Sequence, residues 1–421
     1  MKIYQVGGSV RDKLLGLPAV DRDYVVVGAT VDEMLAAGYQ PVGKDFPVFL
    51  HPETKEEYAL ARTERKSGRG YTGFAFQAAA DVTLEEDLLR RDLTINAMAL
   101  EVHGALIAPL DKLVDPYGGE NDIAAKVLRH VSDAFAEDPL RVLRVARFAA
   151  RFTQFTVAPE TLALCKKLVD DGEVRELVAE RVWQEISRGL MEAQPSKMFE
   201  VLRACGALAQ LAPELDRLWG VPQSAQWHPE IDTGIHVMQV IDYAAHRQWP
   251  LATRFAALTH DLGKGLTPAD ILPAHHAHEA RSVKLVAELC ERWRVPRDCT
   301  ELAAHVAAEH GNLGKLADMR PATVHDALMR CDVLRRPERF VQMLDACEAD
   351  KSSRRAVGLP ETAGEPFKAR TGAMASLVAM QSVDAGAIAV MMVAQGKPER
   401  IAAAVREARI EAIRVARTAG L

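Results

Sequence analysis

The stretch GGSVRDKLLGLPAVDRD, residues 7–23, decides how this chain is read. Apolar Ile3, Tyr4 and Val6 precede it, and Tyr24, Val25, Val26 and Val27 follow. The pattern predicts a strand, a glycine-rich turn, a short helix and a second strand that starts at the two aspartates. Residues two apart on a strand point to one face, so Asp21 and Asp23 aim together. Paired carboxylates on a rigid element suit a hard divalent cation such as Mg²⁺, whose other ligands are waters and substrate phosphates. The adjacent glycines let backbone N–H groups approach those phosphates. Asp-x-Asp alone is common on solvated turns, so the rest of the chain has to decide its meaning.

Working outward, residues 1 to about 135 read as mixed α/β. The expected strands are Lys2–Val6, Asp23–Val27, Val48–Leu50, Glu57–Arg62, Ala105–Ile107 and Val127–His130. The expected helices are Val10–Leu15, Thr30–Ala37 and Leu84–Arg91. From Asp138 onward apolar residues recur at three and four, which is helical periodicity. Pro139 after Glu137 and Asp138 marks a helix start. A second break falls at LWGVPQSAQW, residues 218–227, where Gly, Pro, Ser and Gln interrupt the helical pattern. Length allows two or more domains with ample core. A net charge of −6 excludes a chain coated in positive charge, though not a local basic face. Six scattered cysteines without C-x-x-C read as reduced thiols of a cytoplasmic protein. With neither a leader pattern nor an 18-residue apolar run, we expect no signal peptide and no membrane span.

Three further stretches carry chemistry. Glu57 opens an alternating segment, and as a strand beside Asp23 it supplies a third carboxylate of the kind two-metal phosphoryl transfer uses. In RRDLTINAM, residues 90–98, the arginines offer bidentate clamps for phosphate. In EDPLRVLRVARF, residues 137–148, Arg141, Arg144 and Arg147 share a helix face. Asp138 and Arg141 then present an acceptor and a donor fork on one edge, as reading a base edge requires. Each of these stretches, taken alone, also reads as a solvated charged face.

Taken together, GGxVRD, DxD, RRDxTINAM and EDPLRxLRxxRF, in this order and spacing, resemble the bacterial class II CCA-adding enzymes. These are tRNA nucleotidyltransferases of the polymerase-beta-like superfamily. WHPEIDTGIHV and HDLGKG in the second half look like the multifunctional form with an HD domain. The resemblance implies an α+β fold: a nucleotidyltransferase head with a mixed sheet and helices, then an all-helical neck, HD domain and tail. The corresponding segments are 1–137, 138–225, 226–350 and 351–421. It implies ordered addition of C, C and A to tRNA from CTP and ATP, releasing pyrophosphate. It implies that Asp21 and Asp23 hold Mg²⁺, to which the strand reading adds Glu57 as a further catalytic carboxylate. By the same resemblance Gly8 and Arg11 would contact the nucleotide triphosphate, and Arg91 would hold nucleotide phosphates or the head-to-neck junction. Asp138, Arg141 and Arg144 select the base. An undeleted Gly28–Phe46 region favours the full CCA activity over CC-only or A-only addition. The rival within the superfamily is a poly(A) polymerase, which shares the head motifs.

Ten of the thirteen histidines lie after residue 225, which suggests a separate metal site. The resemblance implies an HD ligand set of His236, His260, Asp261 and Asp350. Imidazole and carboxylate donors suit a transition metal such as Ni²⁺, for 2′,3′-cyclic phosphodiesterase, 2′-nucleotidase and phosphatase reactions. His275, His276 and His278 are candidates to line the same site, and Lys264 to hold phosphate. His246, His305 and His325 read as packing or surface residues. HD relatives tend to read His-Asp where this chain has Glu309-His310-Gly311-Asn312, and neither Gly311 nor Asn312 carries a carboxylate. The phosphatase activity is therefore the one open to weakening. Arg400, Arg406, Arg409, Arg414 and Arg417 offer contacts to tRNA backbone. A monomer or homodimer is expected.

Overall fold

The computed structural model describes residues 1–18, 22–42, 48–66, 74–78, 80–104, 106–359 and 366–418. Asp21, Ala105 and the 43–46 part of the Gly28–Phe46 region lie outside the described residues. The chain forms two compact units: Met1–Gly189 with Lys197–Leu211, and Leu190–Ser196 with Ala212–Leu421.

The first unit is built on a mixed sheet. Strands β1 (Lys2–Val6), β2 (Asp23–Val27), β3 (Gln40–Val42), β4 (Val48–Leu50) and β5 (Glu57–Leu60) are followed by a separate hairpin of β6 (Arg62–Lys66) and β7 (Phe74–Ala78). Strands β8 (Ala99–His103) and β9 (Leu106–Ile107) complete the seven-stranded order β3-β4-β5-β2-β1-β8-β9. β2 and β5 run parallel; the other neighbours are antiparallel. The pleat divides two cores. Tyr4, Val6 and Val25 pack with Leu84, Leu88 and Ala99 on one face. Tyr24 and Val26 pack with Met34, Phe49 and Tyr58 on the other.

This alternation positions the chemistry. Asp23 is two residues from Val25 and directly opposite Val6, so it shares their face. Glu57 is its register partner on β5, so the two carboxylates sit side by side at one end of the sheet.

Helix α1 (Gly8–Leu14) begins two residues before the expected start. Gly7 makes this possible: its φ of 72° lies in the left-handed region, and a Cβ there would stand 3.0 Å from an Arg91 nitrogen. Helices α2 (Val31–Ala36) and α3 (Leu84–Leu89) both start in capping boxes, Thr30 with Glu33 and Thr83 with Glu86. Helix α4 (Gly119–Ala125) precedes β10 (Val127–Leu128). Helix α5 (Leu140–Arg151) begins after Pro139 as expected, with Asp138 Oδ1 accepting from the Leu140 N–H at 3.1 Å. A two-residue strand, β11 (Thr156–Val157), pairs with β10 within the stretch read as wholly helical. Helices α6 (Pro159–Asp170) and α7 (Ala179–Leu190) follow.

The expected strand Glu57–Arg62 is broken at Ala61: β5 stays in the main sheet and Arg62 opens the hairpin. Of the expected Val127–His130 only Val127–Leu128 is strand. β8, which flanks β1 inside the sheet, was not expected. Ala99 and Leu100 are covered on opposite faces, so the strand starts as an apolar run without alternation.

The second unit is helical. Leu251–Thr259 is buried along nearly its whole length. It packs against Thr233–His246, Arg297–Leu313 and Pro337–Ser352. The six cysteines are free and buried. No single described helix is long and apolar enough to cross a membrane.

Candidate active sites

In the first unit a cavity of about 770 Å³ opens at the Asp23 end of the sheet. It is lined by Gly7, Gly8, Asp23 and Glu57, by the RRD stretch, by α5, and by Arg181 and Arg188 of α7. Asp23 and Glu57 are exposed to it. Their adjacency is the donor chemistry a divalent ion takes, and Asp21 precedes them in sequence.

The surrounding arginines are held from behind. Asp87 is fully buried; it accepts from Arg90 at 2.6 Å and from Arg91 at 3.2 Å. Burial pushes its pKa up, but the two guanidinium groups outweigh that and hold it below the usual range. Asp92 accepts from Arg144 Nε at 2.8 Å, from Asn96 at 2.9 Å and from the Leu93 N–H at 2.8 Å. Burial opposes its charge too, yet Arg144 and Asn96 win and its pKa is depressed. Depressed native pKa values place stability above the unfolded carboxylate pKa of about 4 and remove it below. We therefore expect the first unit to lose stability as pH falls from about 4, less steeply in Asp87→Asn. Urea unfolding at stepped pH measures this, and a midpoint unchanged between pH 5 and 3 would contradict it.

The structure brings every described site residue predicted for the head to one cavity, but two arginines are engaged differently from expectation. Arg11 is buried, bonded to Asp12 at 2.9 Å and Asn96 at 2.5 Å, with its guanidinium over Phe148 and Phe152. Arg141 donates to the carbonyls of Ala134 at 2.7 Å and Arg90 at 2.6 Å. Both act here as internal ties. The cation at Asp138 is Arg181, at 2.8 Å, which sequence reasoning missed. It also missed Glu185, buried and paired with Arg147 at 2.7 Å. The available signal was an acid on the apolar stripe of α7, Val182-Glu185-Ile186-Gly189.

In the second unit, five helices deliver one cluster. His236 comes from Thr233–His246, and His260-Asp261 from the end of Leu251–Thr259. Asp350 lies near the end of Pro337–Ser352. His278 and His310 come from His278–Trp293 and Arg297–Leu313. His236 Nε2 lies 3.1 Å from Asp350 Oδ1, and His260 Nε2 3.1 Å from Asp261 Oδ2. Asp261 Oδ1 lies 3.3 Å from His278 and 3.5 Å from His310.

Hydrogen-bond accounting fixes the tautomers. The Nδ1 atoms of His260, His278 and His310 face the carbonyls of Ala257, His275 and Val306 at 2.8, 2.8 and 3.0 Å. A carbonyl only accepts, so each Nδ1 carries a proton, and in the neutral ring each Nε2 keeps its lone pair for a metal. The Nε2 atoms of His278 and His310 are nevertheless 3.2 Å apart. Acceptors converge on acceptors, and buried Asp261 Oδ1 and His260 Nε2 lack hydrogen-bond partners. This donor set fits a divalent metal ion. Without one, protons meet the need: burial lowers the His236 pKa, but Asp350 and Glu230 outweigh it and hold it above the ordinary imidazole value.

His278 joins the cluster as expected, but His275 and His276 do not. His275 faces Thr267 Oγ1 at 2.7 Å and the Pro222 carbonyl at 3.1 Å, and His276 is exposed. Lys264 is not a free phosphate holder: it is buried between Asp261 Oδ2 at 2.7 Å and Gln223 at 2.6 Å. His246, His305 and His325 stand outside the cluster. His310 and Glu230 were missed as site residues. Glu230 lies 2.8 Å from His236 Nδ1 and 2.9 Å from His228, where it orients the ring. In the tail, Arg406 pairs with Asp326, Arg414 with Glu411, and Arg417 with the carbonyls of Ala317 and Met319. These three are used within the protein rather than held open as a basic face.

Comparison with known proteins finds relatives for both units. Residues 3–129 match the Poly A polymerase head domain. Residues 154–218 match the probable RNA and SrmB-binding site of polymerase A, and 233–350 the HD domain. A CCA-adding enzyme in an apo form superposes with a TM-score of 0.63 at 20% identity, covering 100% of this chain and 92% of that one. The Thermotoga maritima CCA-adding enzyme complexed with tRNA gives 0.56 at 21%, covering 90% and 78%. Identities this low speak for the fold alone. The multifunctional CCA protein of Paracidovorax citrulli is 62% identical over 94% of this chain and 93% of its own. That of Burkholderia cenocepacia J2315 is 60% identical over 98% of both chains. With identity at this level across nearly the full length, the chain belongs to the multifunctional CCA protein family: it is a tRNA nucleotidyltransferase that carries an HD domain.

Proposed function

We propose that the first-unit cavity builds and repairs the 3′-terminal CCA of tRNA from CTP and ATP, and that the HD cluster hydrolyses phosphoesters. The observation that carries the first part is the register pairing of Asp23 with Glu57 at the mouth of an arginine-lined cavity. Asp21, together with Asp23 and its register partner Glu57, would hold Mg²⁺, which when bound lowers the cost of forming a nucleophile from the tRNA 3′ hydroxyl. That oxygen bonds to the nucleotide α-phosphorus as pyrophosphate leaves. Arg91 and the backbone at Gly8 face the triphosphate. Arg11 acts by fixing the walls, and Arg144, held at Asp92, lines the base-reading edge with Asp138 and Arg141.

Asp138 and Arg141 form the base-reading edge in this proposal. Asp138 engages a base when Arg181 yields its oxygen, and Arg141 when it exchanges carbonyls for ring acceptors. A wrong base then leaves buried polar groups unpaired, which is the source of selectivity. Segments 1–137 and 138–225 would serve this reaction, with 226–350 for hydrolysis and 351–421 as tail. In the HD cluster, His236, His260, Asp261 and Asp350 would hold a transition metal such as Ni²⁺, which supplies an activated water for 2′,3′-cyclic phosphates, 2′-nucleotides and phosphomonoesters.

The test is incorporation. A tRNA lacking its 3′ end is incubated with Mg²⁺ and labelled CTP or ATP, singly and together. We expect two C additions from CTP alone and one A only after them. A long A tail would instead support a poly(A) polymerase, and no incorporation would sink both readings.

A further inference from the structure

The helix Arg297–Leu313 carries a glycine, Gly311, one residue after the cluster histidine His310. Glycine inside a helix is unfavourable relative to alanine, so its presence calls for a reason. A Cβ at Gly311 would stand 2.9 Å from Glu279 Oε1, and the only other neighbour within 4 Å is the same carboxyl's Cδ at 4.0 Å. Among the described residues, then, the space of a side chain at 311 is taken by the Glu279 carboxylate alone. Its other oxygen lies 3.4 Å from His278 Nδ1. That nitrogen is the one turned away from the converging Nε2 atoms.

The other acids nearby are committed elsewhere. Glu309 is gripped by Arg330 at 2.5 and 2.9 Å. Asn312 donates to Glu309 at 2.8 Å. Glu279 is one-third exposed (35%), and among the described residues no hydrogen bond draws it away from the rim.

We propose that Glu279 delivers, from the helix His278–Trp293, the carboxylate that the facing helix lacks at Gly311, and that it positions the His278 ring at the rim of the HD cluster. Gly311 is the vacancy that lets it seat there. The absent carboxylate noted at residues 311 and 312 is thus relocated rather than lost. The inference rests on the HD reading. The His275 carbonyl takes the Nδ1–H at 2.8 Å, and a carboxylate charge beside that nitrogen reinforces the same ring orientation and strengthens the other nitrogen as a donor.

The test is Mn²⁺ titration calorimetry on the full chain after chelator treatment. An Asp23→Asn background silences the head carboxylates, so uptake reports on the HD cluster. Glu279→Gln keeps shape without charge, and should weaken binding roughly tenfold. Gly311→Ala adds only the methyl that meets Oε1. It should weaken binding similarly while raising the ion-free melting temperature, a combination that a purely structural role would not give. Glu279→Gly should lose affinity, and adding Gly311→Asp to it should recover most of the loss. Wild-type affinity in Glu279→Gln, or no recovery in the double variant, overturns the proposal. Failure of the HD reading looks different: no Mn²⁺ uptake in the background chain, or uptake that survives His236→Ala, overturns that reading and this inference with it.

Discussion

Asp23→Ala protein will add nucleotides on the order of 10³-fold more slowly than wild type, while its HD reaction stays at the wild-type rate. The size of the effect follows from where Asp23 sits. It is exposed at the end of β2, opposite Glu57 in register, with Val6 and Val25 behind it on the same face. Its side chain is exposed at the strand end rather than packed in a core, so the fold should survive its removal and the loss reports chemistry. Asp23→Asn should lose nearly as much, because the amide keeps the shape but gives up the charge that a divalent ion and triphosphate require. Glu57→Gln tests the neighbour, and we expect a smaller loss if Asp21 and Asp23 carry the ion between them. Single-turnover labelling with CTP on a truncated tRNA measures all three. Nucleotide addition within tenfold of wild type in Asp23→Ala would remove the metal-pair assignment.

The control arm separates two chemistries on one chain. Asp23 belongs to the first compact unit and the histidine cluster to the second. Loss of both activities in folded Asp23→Ala would therefore contradict the assignment of one reaction to each unit.

How much of this was legible in the sequence depended on whether a role was local. Periodicity of two around Asp23 and of three to four after Pro139 is local, and β1, β2 and α5 followed from it. β8 did not, because a strand covered on both faces carries no alternation. The HD donors were visible where they came as a dipeptide, His260-Asp261, and through the family resemblance. His310 was visible as a residue but not as a ligand, since its place beside His278 depends on the packing of two helices. Arg141 shows the opposite case. Its spacing from Asp138 suggested a free donor fork, but burial obliges its N–H groups to find acceptors, and the nearest are the carbonyls of Ala134 and Arg90. Sequence spacing reports that two groups share an edge; it does not report what else competes for them. Arg181, forty-three residues from Asp138, is such a competitor.

Asp261→Asn will abolish metal-dependent phosphoester hydrolysis, again by on the order of 10³-fold, and will also abolish the heat stability that metal confers. Asp261 is the one residue whose two oxygens face opposite sides of the cluster: Oδ2 toward His260 and Lys264, Oδ1 toward His278 and His310. An amide in its place supplies one oxygen and one nitrogen, and the nitrogen cannot ligate. Burial favours the neutral side chain, but His260 and Lys264 outweigh it and keep Asp261 ionised. The wild-type carboxylate is thus charged before any ion arrives. An ion that binds only the native state stabilises it by about 2.7 kcal/mol at a hundredfold excess over its dissociation constant. Wild-type protein should therefore melt several degrees higher with Ni²⁺ or Mn²⁺ than with chelator, whereas Asp261→Asn should melt at one temperature in both. CCA addition by the variant should match wild type. Hydrolysis that survives in Asp261→Asn, or a melting temperature that still rises with the ion, would mean that the converging imidazoles hold their metal without this carboxylate.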